Sequence, residues 1–355
     1  MFEMLFPSAA DFPLPHPPSW VQPAITATCI LSILLPPGPI RVSAGGLIIA
    51  LFFYLYAWTA EKTLNGYAIA TGSIGLVYRW IDLVFIHQPE KDFWRTAEVD
   101  GKDKNGDEHV IVDGHAPEGS WAKIKWFADL WISARGVGWN IRASQMPNAP
   151  SKEISRSRWV VSNAIRLVLM YLGADLTSTI LIYLGRGEPF LDQPILWQVC
   201  VSWVKAFRSY YSIEITYYII AILAVGFGIS TPQDWPPITG SFRKDAYTVR
   251  KMWGTCWHQL MRRPCSEGGR ITKQLFGLKK GSFASRYSQI WIAFLISTST
   301  HHTGAVIGMF EDGGFWQMVY FMIQPVGIML EDFVVHVGRK MGWRESGELR
   351  FLFDI

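Results

Sequence analysis

The chain has 355 residues, half of them hydrophobic, with 17 Trp, 21 Phe and 13 Tyr. Only 17% are charged and the formal net charge is +4. Long, nearly uncharged runs alternate with dense polar loops, which excludes an ordinary soluble domain and points to a multi-pass membrane protein. The expected fold class is therefore all-α: a transmembrane helix bundle of about seven to eight spans, forming one membrane-embedded domain with two basic or polar cytoplasmic loops. The four cysteines, Cys29, Cys200, Cys256 and Cys265, lack metal-type spacing and read as reduced structural residues.

Residues 1–19 are rich in Pro and Phe and lack the basic start of a cleaved signal peptide, so the first span is expected to serve as the membrane signal. That span covers about residues 20–35, stopped by Pro36 and Pro37. A second runs over about 43–58 and a third over about 67–85. The third contains Arg79 and Asp82, three residues apart and so placed to pair on one helix face.

Residues 86–158 form the first polar loop. Its part at 100–118, full of Gly, Asp, Lys and Asn, reads as a mobile surface loop. Trp121, Lys123, Lys125, Trp126, Leu130 and Trp131 follow at helical spacing and suggest an amphipathic helix on the membrane surface. The Arg135-Gly-Val-Gly-Trp-Asn140 stretch is a glycine-containing turn, weak as a phosphate loop without a strand before it. The fourth span, about 159–184, carries Arg166 near its start, where it can snorkel, and Asp175 too deep to do so. Asp175 either pairs with a cation on another helix or lines a cavity. Residues 195–207 are apolar but short, hence interfacial or re-entrant. The fifth span, about 210–229, holds Glu214 and the tyrosines Tyr210, Tyr211, Tyr217 and Tyr218, read as an aromatic belt or as cavity lining.

Residues 231–286 form the second polar loop, with eleven cations against three anions, a net +8. The positive-inside rule makes it cytoplasmic, and two spans separate it from the 86–158 loop, which then faces the same side. Within it, residues 245–261 show helical periodicity. Val249, Trp253, Trp257 and Leu260 form an apolar face, and Arg250, His258 and Arg262 fall on another. Such a helix suits a membrane surface or a nucleotide phosphate arriving from the cytosol.

The stretch 287–310 is an apolar span that runs into Ser297-Thr-Ser-Thr-His301-His302. Imidazole is costly to bury in hydrocarbon, so these histidines are functional candidates, against the alternative of a structural histidine bonded inside a bundle. Ser297 and His301 share a helix face, and the serine is expected to orient the ring. A last span covers about 315–337, and its Glu331, Asp332 and His336 either make packing contacts or mark its cytoplasmic end.

Taken together, Trp235-Pro-Pro, Phe242, Trp253, Trp257-His258-Gln259 and, across the basic loop, Phe294-Leu-Ile-Ser297 with His301 resemble the wax synthase-like branch of the membrane-bound O-acyltransferases. They are closest in character to the fungal terpenoid and meroterpenoid acetyltransferases. Arg135-Gly-Val-Gly-Trp139 and Asp175 resemble recurrent features there. The resemblance implies that His301 is the catalytic base and His258 a second active-site residue on the cytosolic acyl-CoA side. Trp257, Gln259, Arg250, Arg262, Ser297 and Asp175 are then candidates for binding substrate or coenzyme A. The region 231–310 holds the catalytic motifs. Thr298 stands where the family usually has Gly, and His302 is an additional histidine.

The implied activity is transfer of an acyl group, expected to be acetyl, from acetyl-CoA as co-substrate to a hydroxyl of a hydrophobic terpenoid-like alcohol. It implies no bound cofactor, no metal and no nucleic-acid partner, and a place in the endoplasmic reticulum membrane. A wax-ester type long-chain acyltransferase is the nearest alternative. A metal enzyme built on His258, His301, His302 and His336 lacks a carboxylate at ligand spacing. A transporter lacks a visible internal repeat.

Overall fold

The structure is a computed structural model, and it describes residues 20–57, 64–98, 109–111, 116–143, 146–184, 190–308 and 313–342. The expectations for residues 1–19, and for most of 100–118, lie outside the described residues. The main helices are α1 (Val21–Leu31), α2 (Pro39–Ala57), α3 (Leu64–Trp80), α4 (Ser120–Ile132), α5 (Arg156–Leu184), α6 (Ile195–Gly226), α7 (Arg262–Leu275), α8 (Phe283–Gly308), α9 (Gly313–Met322) and α10 (Gln324–Lys340). The helical expectation holds, with one exception among the described residues. Strands β1 (Thr96–Glu98) and β2 (His109–Ile111) pair antiparallel, Ala97 opposite Val110.

Four helical stretches are long and apolar enough to cross a membrane: Gly66–Ile86, Arg156–Leu184, Ile195–Gly226 and Gly314–Lys340. Pro23–Leu34 and Pro39–Phe53 are shorter apolar helices. Along α5 the side chains of Ile165, Leu169, Leu172 and Leu176 are exposed, the outward apolar surface that a bilayer covers.

By packing, the chain divides into two compact units: residues 1–144, 246–252 and 259–355 in one, 145–245 and 253–258 in the other. In the first unit α8 is the central element, packed on α3, α7, α9 and α10. Its contact with α3 depends on Gly304 and Gly308. A Cβ on Gly304 would collide with Thr71 Oγ1, and one on Gly308 with the backbone of Tyr67. This small-xxx-small spacing lets two helix backbones approach closely. A second layer buries Cys29, Ile33, Leu83, Phe93, Phe127, Leu130 and Trp139. The α4 helix contributes Phe127 and Leu130 to that core, so the amphipathic reading of its sequence is realised as packing on one face. The Arg135–Asn140 stretch is a structural turn. Gly136 and Gly138 take φ of +68° and +73°, which side chains rarely adopt, and Trp139 is fully buried.

Several charged residues sit differently from expectation. Arg79 and Asp82 attract each other as charges but direct their hydrogen bonds to other partners. After Trp80 the helix widens into a π turn over Ile81–Ile86, which alters the phase of the face on which the two were expected to meet. Arg79 Nη2 donates to the carbonyls of Leu130 and, at 2.9 Å, Ser133. Asp82 accepts from Arg263 Nε at 2.5 Å and Nη2 at 2.9 Å. Arg41, buried and unremarked in the sequence, donates to both oxygens of Glu90 at 2.9 and 2.7 Å, and Lys123 joins the same carboxylate at 2.7 Å. Burial opposes ionisation of Glu90, yet these donors hold its pKa below the ordinary value.

In the second unit, α5 and α6 pack along one another. The expected short segment 195–207 and fifth span are one 32-residue helix. Arg208 looks like a break in the apolar run but is accommodated: its Nε donates to Ser178 at 2.7 Å on α5, and its Nη1 bonds Ser212. Arg166 has a partner on the neighbouring helix. It donates to the fully buried Glu214 at 3.0 Å and lies 4.7 Å over the Tyr218 ring. The last span is not one helix, because Pro325 lacks an N–H and α10 restarts after a turn at Ile323.

Candidate active site

The α8 helix begins with the Ser282 hydroxyl accepting the N–H of Ser285 at 3.2 Å, a local cap that sets its first turn. Five turns on, it presents His301. The ring Nδ1 is 2.7 Å from the Tyr67 hydroxyl of α3. The imidazole stacks on Phe321 of α9, with centroids 4.3 Å apart and planes at 10°, and lies 6.2 Å from the Tyr67 ring. Ser297 does not orient this ring; Tyr67 does. The reason is the close α3–α8 approach at Gly304 and Gly308, which brings a phenol to the imidazole from a helix 234 positions away. Among the described residues no group bonds Nε2 of His301, so that nitrogen is the one available for chemistry. Sequence reasoning missed Tyr67, and the spacing of Gly304 and Gly308 is the signal that could have found it.

His302 points elsewhere. Its Nδ1 lies 2.9 Å from the Gly314 carbonyl, tying α8 to α9. Ser299 bonds the Tyr78 hydroxyl, and Thr298 and Thr300 are buried.

The expected helix 245–261 is not formed. Thr248 caps a short helical turn, Val249–Lys251, by accepting the Lys251 N–H at 3.0 Å. A π turn over Met252–Cys256 follows, and α7 starts only at Arg262. Gly254 weakens helix propagation inside that stretch, and Pro264 suits the first turn of a new helix better than the interior of a long one. Arg250, His258 and Arg262 therefore do not share a helix face. Arg250 is held by Asp332 of α10 at 2.6 Å, and Glu331 accepts the Val249 N–H at 2.6 Å. Gln259 is buried, and its carbonyl accepts the Arg262 N–H at 3.2 Å.

Trp257 and His258 belong to the second unit. The Gly240 N–H donates to the Cys256 carbonyl at 2.7 Å, fastening the Trp235–Phe242 loop beside them. Phe242 lies 6.4 Å from Trp257, Trp253 6.2 Å and His258 5.5 Å, ring to ring. The loop itself is held from α6. Thr239 donates to Glu214 at 2.5 Å, Tyr217 to the Pro236 carbonyl at 2.5 Å, and the Tyr217 ring lies 5.3 Å from Trp235. Glu214 and Tyr217 are thus internal supports of the motif. Asp175 is exposed on α5, where Ser178, Arg208, Ser212 and Thr216 line the same pocket of about 410 Å3.

Asp82, His87 and Glu267 offer ligand atoms within 4.8 Å of one another, a set that could hold a metal by proximity. Arg263 already neutralises Asp82, which makes the set a poor cation site.

Comparison with known proteins matches residues 235–323 to the membrane bound O-acyl transferase family. Over 334 residues the chain is 30% identical to an acetyltransferase, ple2, of Rhodocybe pseudopiperita, covering 91% of this chain and 82% of that protein. It is 28% identical over 344 residues to an acetyltransferase, sirH, of Emericella nidulans, covering 94% and 78%. An O-Mevalon transferase, macI, of Penicillium terrestre is 28% identical over 287 residues, 73% of this chain and 62% of that one. No solved structure matches.

Proposed function

The chain belongs to the membrane-bound O-acyl transferase family, and from that premise we propose that it moves an acetyl group from acetyl-CoA to a hydroxyl of a terpenoid or meroterpenoid intermediate of secondary metabolism. The observation that carries this reading is the His301 ring, oriented by Tyr67 through Nδ1 and stacked on Phe321, within the family-matched segment. With Nδ1–H donating to Tyr67, the lone pair of Nε2 takes the proton of the acceptor hydroxyl as its oxygen attacks the thioester carbonyl. A C–O bond forms and the C–S bond breaks. The proton then passes from His301 to the departing thiolate, which leaves as the free thiol of CoA. No further cofactor enters this balance.

His258, in the Trp257-His258-Gln259 motif within the family-matched segment, is carried as a second candidate for the acyl-CoA side. The basic 231–286 loop faces the cytosol, from which the donor comes, and the alcohol enters from the endoplasmic reticulum bilayer. The test is incubation of membranes carrying the protein with labelled acetyl-CoA and a panel of terpenoid alcohols. A labelled ester, with release of CoA thiol and none from His301→Ala, is the expected outcome. Ester formation only with long-chain acyl-CoA, or with no alcohol at all, overturns it.

A further inference from the structure

Four cations that the sequence scatters over residues 250–286 meet in one pocket. It lies in the first unit and has a volume of about 380 Å3. Arg250 comes from the short helical turn, Lys273 from the end of α7, Lys280 from the α7–α8 turn, and Arg286 from the first turn of α8, with Gln289 and Ile290 beside them. No carboxylate lines it. Asp332, behind the arginines, bonds Arg250 at 2.6 Å and sits 3.5 Å from Arg286, so it positions two guanidiniums while cancelling one charge. Lys273 and Lys280 have no ion pair among the described residues, and Arg250 Nε is buried with no hydrogen-bond partner there. Four cations sharing one counter-charge still repel, and a buried donor without an acceptor is costly, so the arrangement is suited to an anion.

We propose that this pocket is the subsite for the phosphates of the CoA nucleotide; the proposal rests on the acetyl-CoA reading above. Geometry along α8 supports it. Ile290, at the near edge of the pocket, and His301 are eleven residues apart, about 17 Å of rise and about 20° of rotation on an ideal helix, and the cation Arg286 lies about one turn further out, at about 22 Å and about 60°. The pantetheine arm between the diphosphate and the sulfur has thirteen bonds, or roughly 16 Å at the ~1.2 Å per bond of an extended chain. The pocket and the base thus lie toward opposite ends of one helix, at a separation comparable to the length of the arm that joins phosphate to thioester. The assignment replaces Arg262 of the sequence reading with Lys273, Lys280 and Arg286.

An anionic lipid headgroup has the same phosphate chemistry, and the experiment separates the two sources. In nanodiscs of phosphatidylcholine alone, Lys273→Ala and Lys280→Ala should each raise the KM for acetyl-CoA about tenfold, the value of a charge-assisted contact. The KM for S-acetylpantetheine, which has no nucleotide, should stay at its wild-type value. Adenosine 3′,5′-bisphosphate should protect both lysines from an amine-reactive label. A parallel rise for both donors marks a fold defect and overturns the proposal, as does no rise for acetyl-CoA. Protection by phosphatidic acid but not by the bisphosphate assigns the pocket to lipid and also overturns it. Should the wild type transfer no acetyl group, the acetyl-CoA reading falls by itself. The labelling then decides the pocket alone.

Discussion

Two regions of the first unit bury titratable groups in opposite ways. Asp82 sits in a network of opposite charges: Arg263 at 2.5 Å, His87 at 3.2 Å, and Glu267 next to Arg263 and Arg270. Around His301 there is no ion pair among the described residues. The Tyr67 phenol and the Phe321 ring hold the imidazole, and Nε2 is unclaimed among the described residues. Full pairing is how a fold makes buried charge tolerable, and it leaves nothing for a substrate. A ring fixed at one nitrogen and open at the other is oriented but still reactive. The first region is read as structure and the second as site on that ground.

The largest effect should come from the open ring. His301→Ala should cut turnover by about 10²–10⁴-fold with protein level intact, measured by ester formation in membranes. His302→Ala is its counterpart. It loses the bond to Gly314 and should retain turnover while costing about 1 kcal/mol of stability. Reversed phenotypes would show that the wrong face of α8 has been assigned.

Asp82→Asn tests the paired region. It removes the two-pronged partner of the half-buried Arg263 guanidinium and leaves it only Glu267 at 4.0 Å, and breaking such a pair costs at most about 3–5 kcal/mol. Thermal unfolding in detergent should show a drop of that order, and accumulation should fall. A normally stable variant with lost turnover would move Asp82 into the site and erase the contrast.

Tyr67→Phe sharpens the comparison. It keeps the ring and removes one neutral hydrogen bond to Nδ1, so kcat should fall about five- to tenfold with KM for both substrates unchanged. If the loss lies in stability alone, the phenol is packing and not orientation.

The smallest effect is a pH dependence. Hydrogen bonding to Asp82 raises the pKa of His87 above its ordinary 6.5, with burial acting against it. A raised folded-state pKa means this contribution is complete below about pH 6.5 and is lost as pH climbs through the raised value. The melting temperature of the wild type should therefore decline over that window, and His87→Gln should flatten the decline. An unchanged slope would detach His87 from the charged network.

The sequence by itself determined the class of protein and the helix that matters. Apolar runs of membrane length, the positive loop, the Trp-His-Gln motif and a histidine at the end of a 26-residue helix are all local patterns, readable at spacings of a few residues. Tertiary structure alone decided partners. Tyr67 and His301 are 234 positions apart, Asp82 and Arg263 181, and Arg250 and Asp332 82. Such pairs depend on how helices are rotated and docked against each other. Here that docking is set by small residues such as Gly304 and Gly308, and by breaks in helical phase at the π turns over Ile81–Ile86 and Met252–Cys256. A π turn shifts every later side chain around the axis, so an ideal period carried past it misassigns the face. That is why Arg79 and Asp82, though they attract each other, hydrogen-bond to different partners, and why Arg250, His258 and Arg262 never form the stripe their spacing suggests.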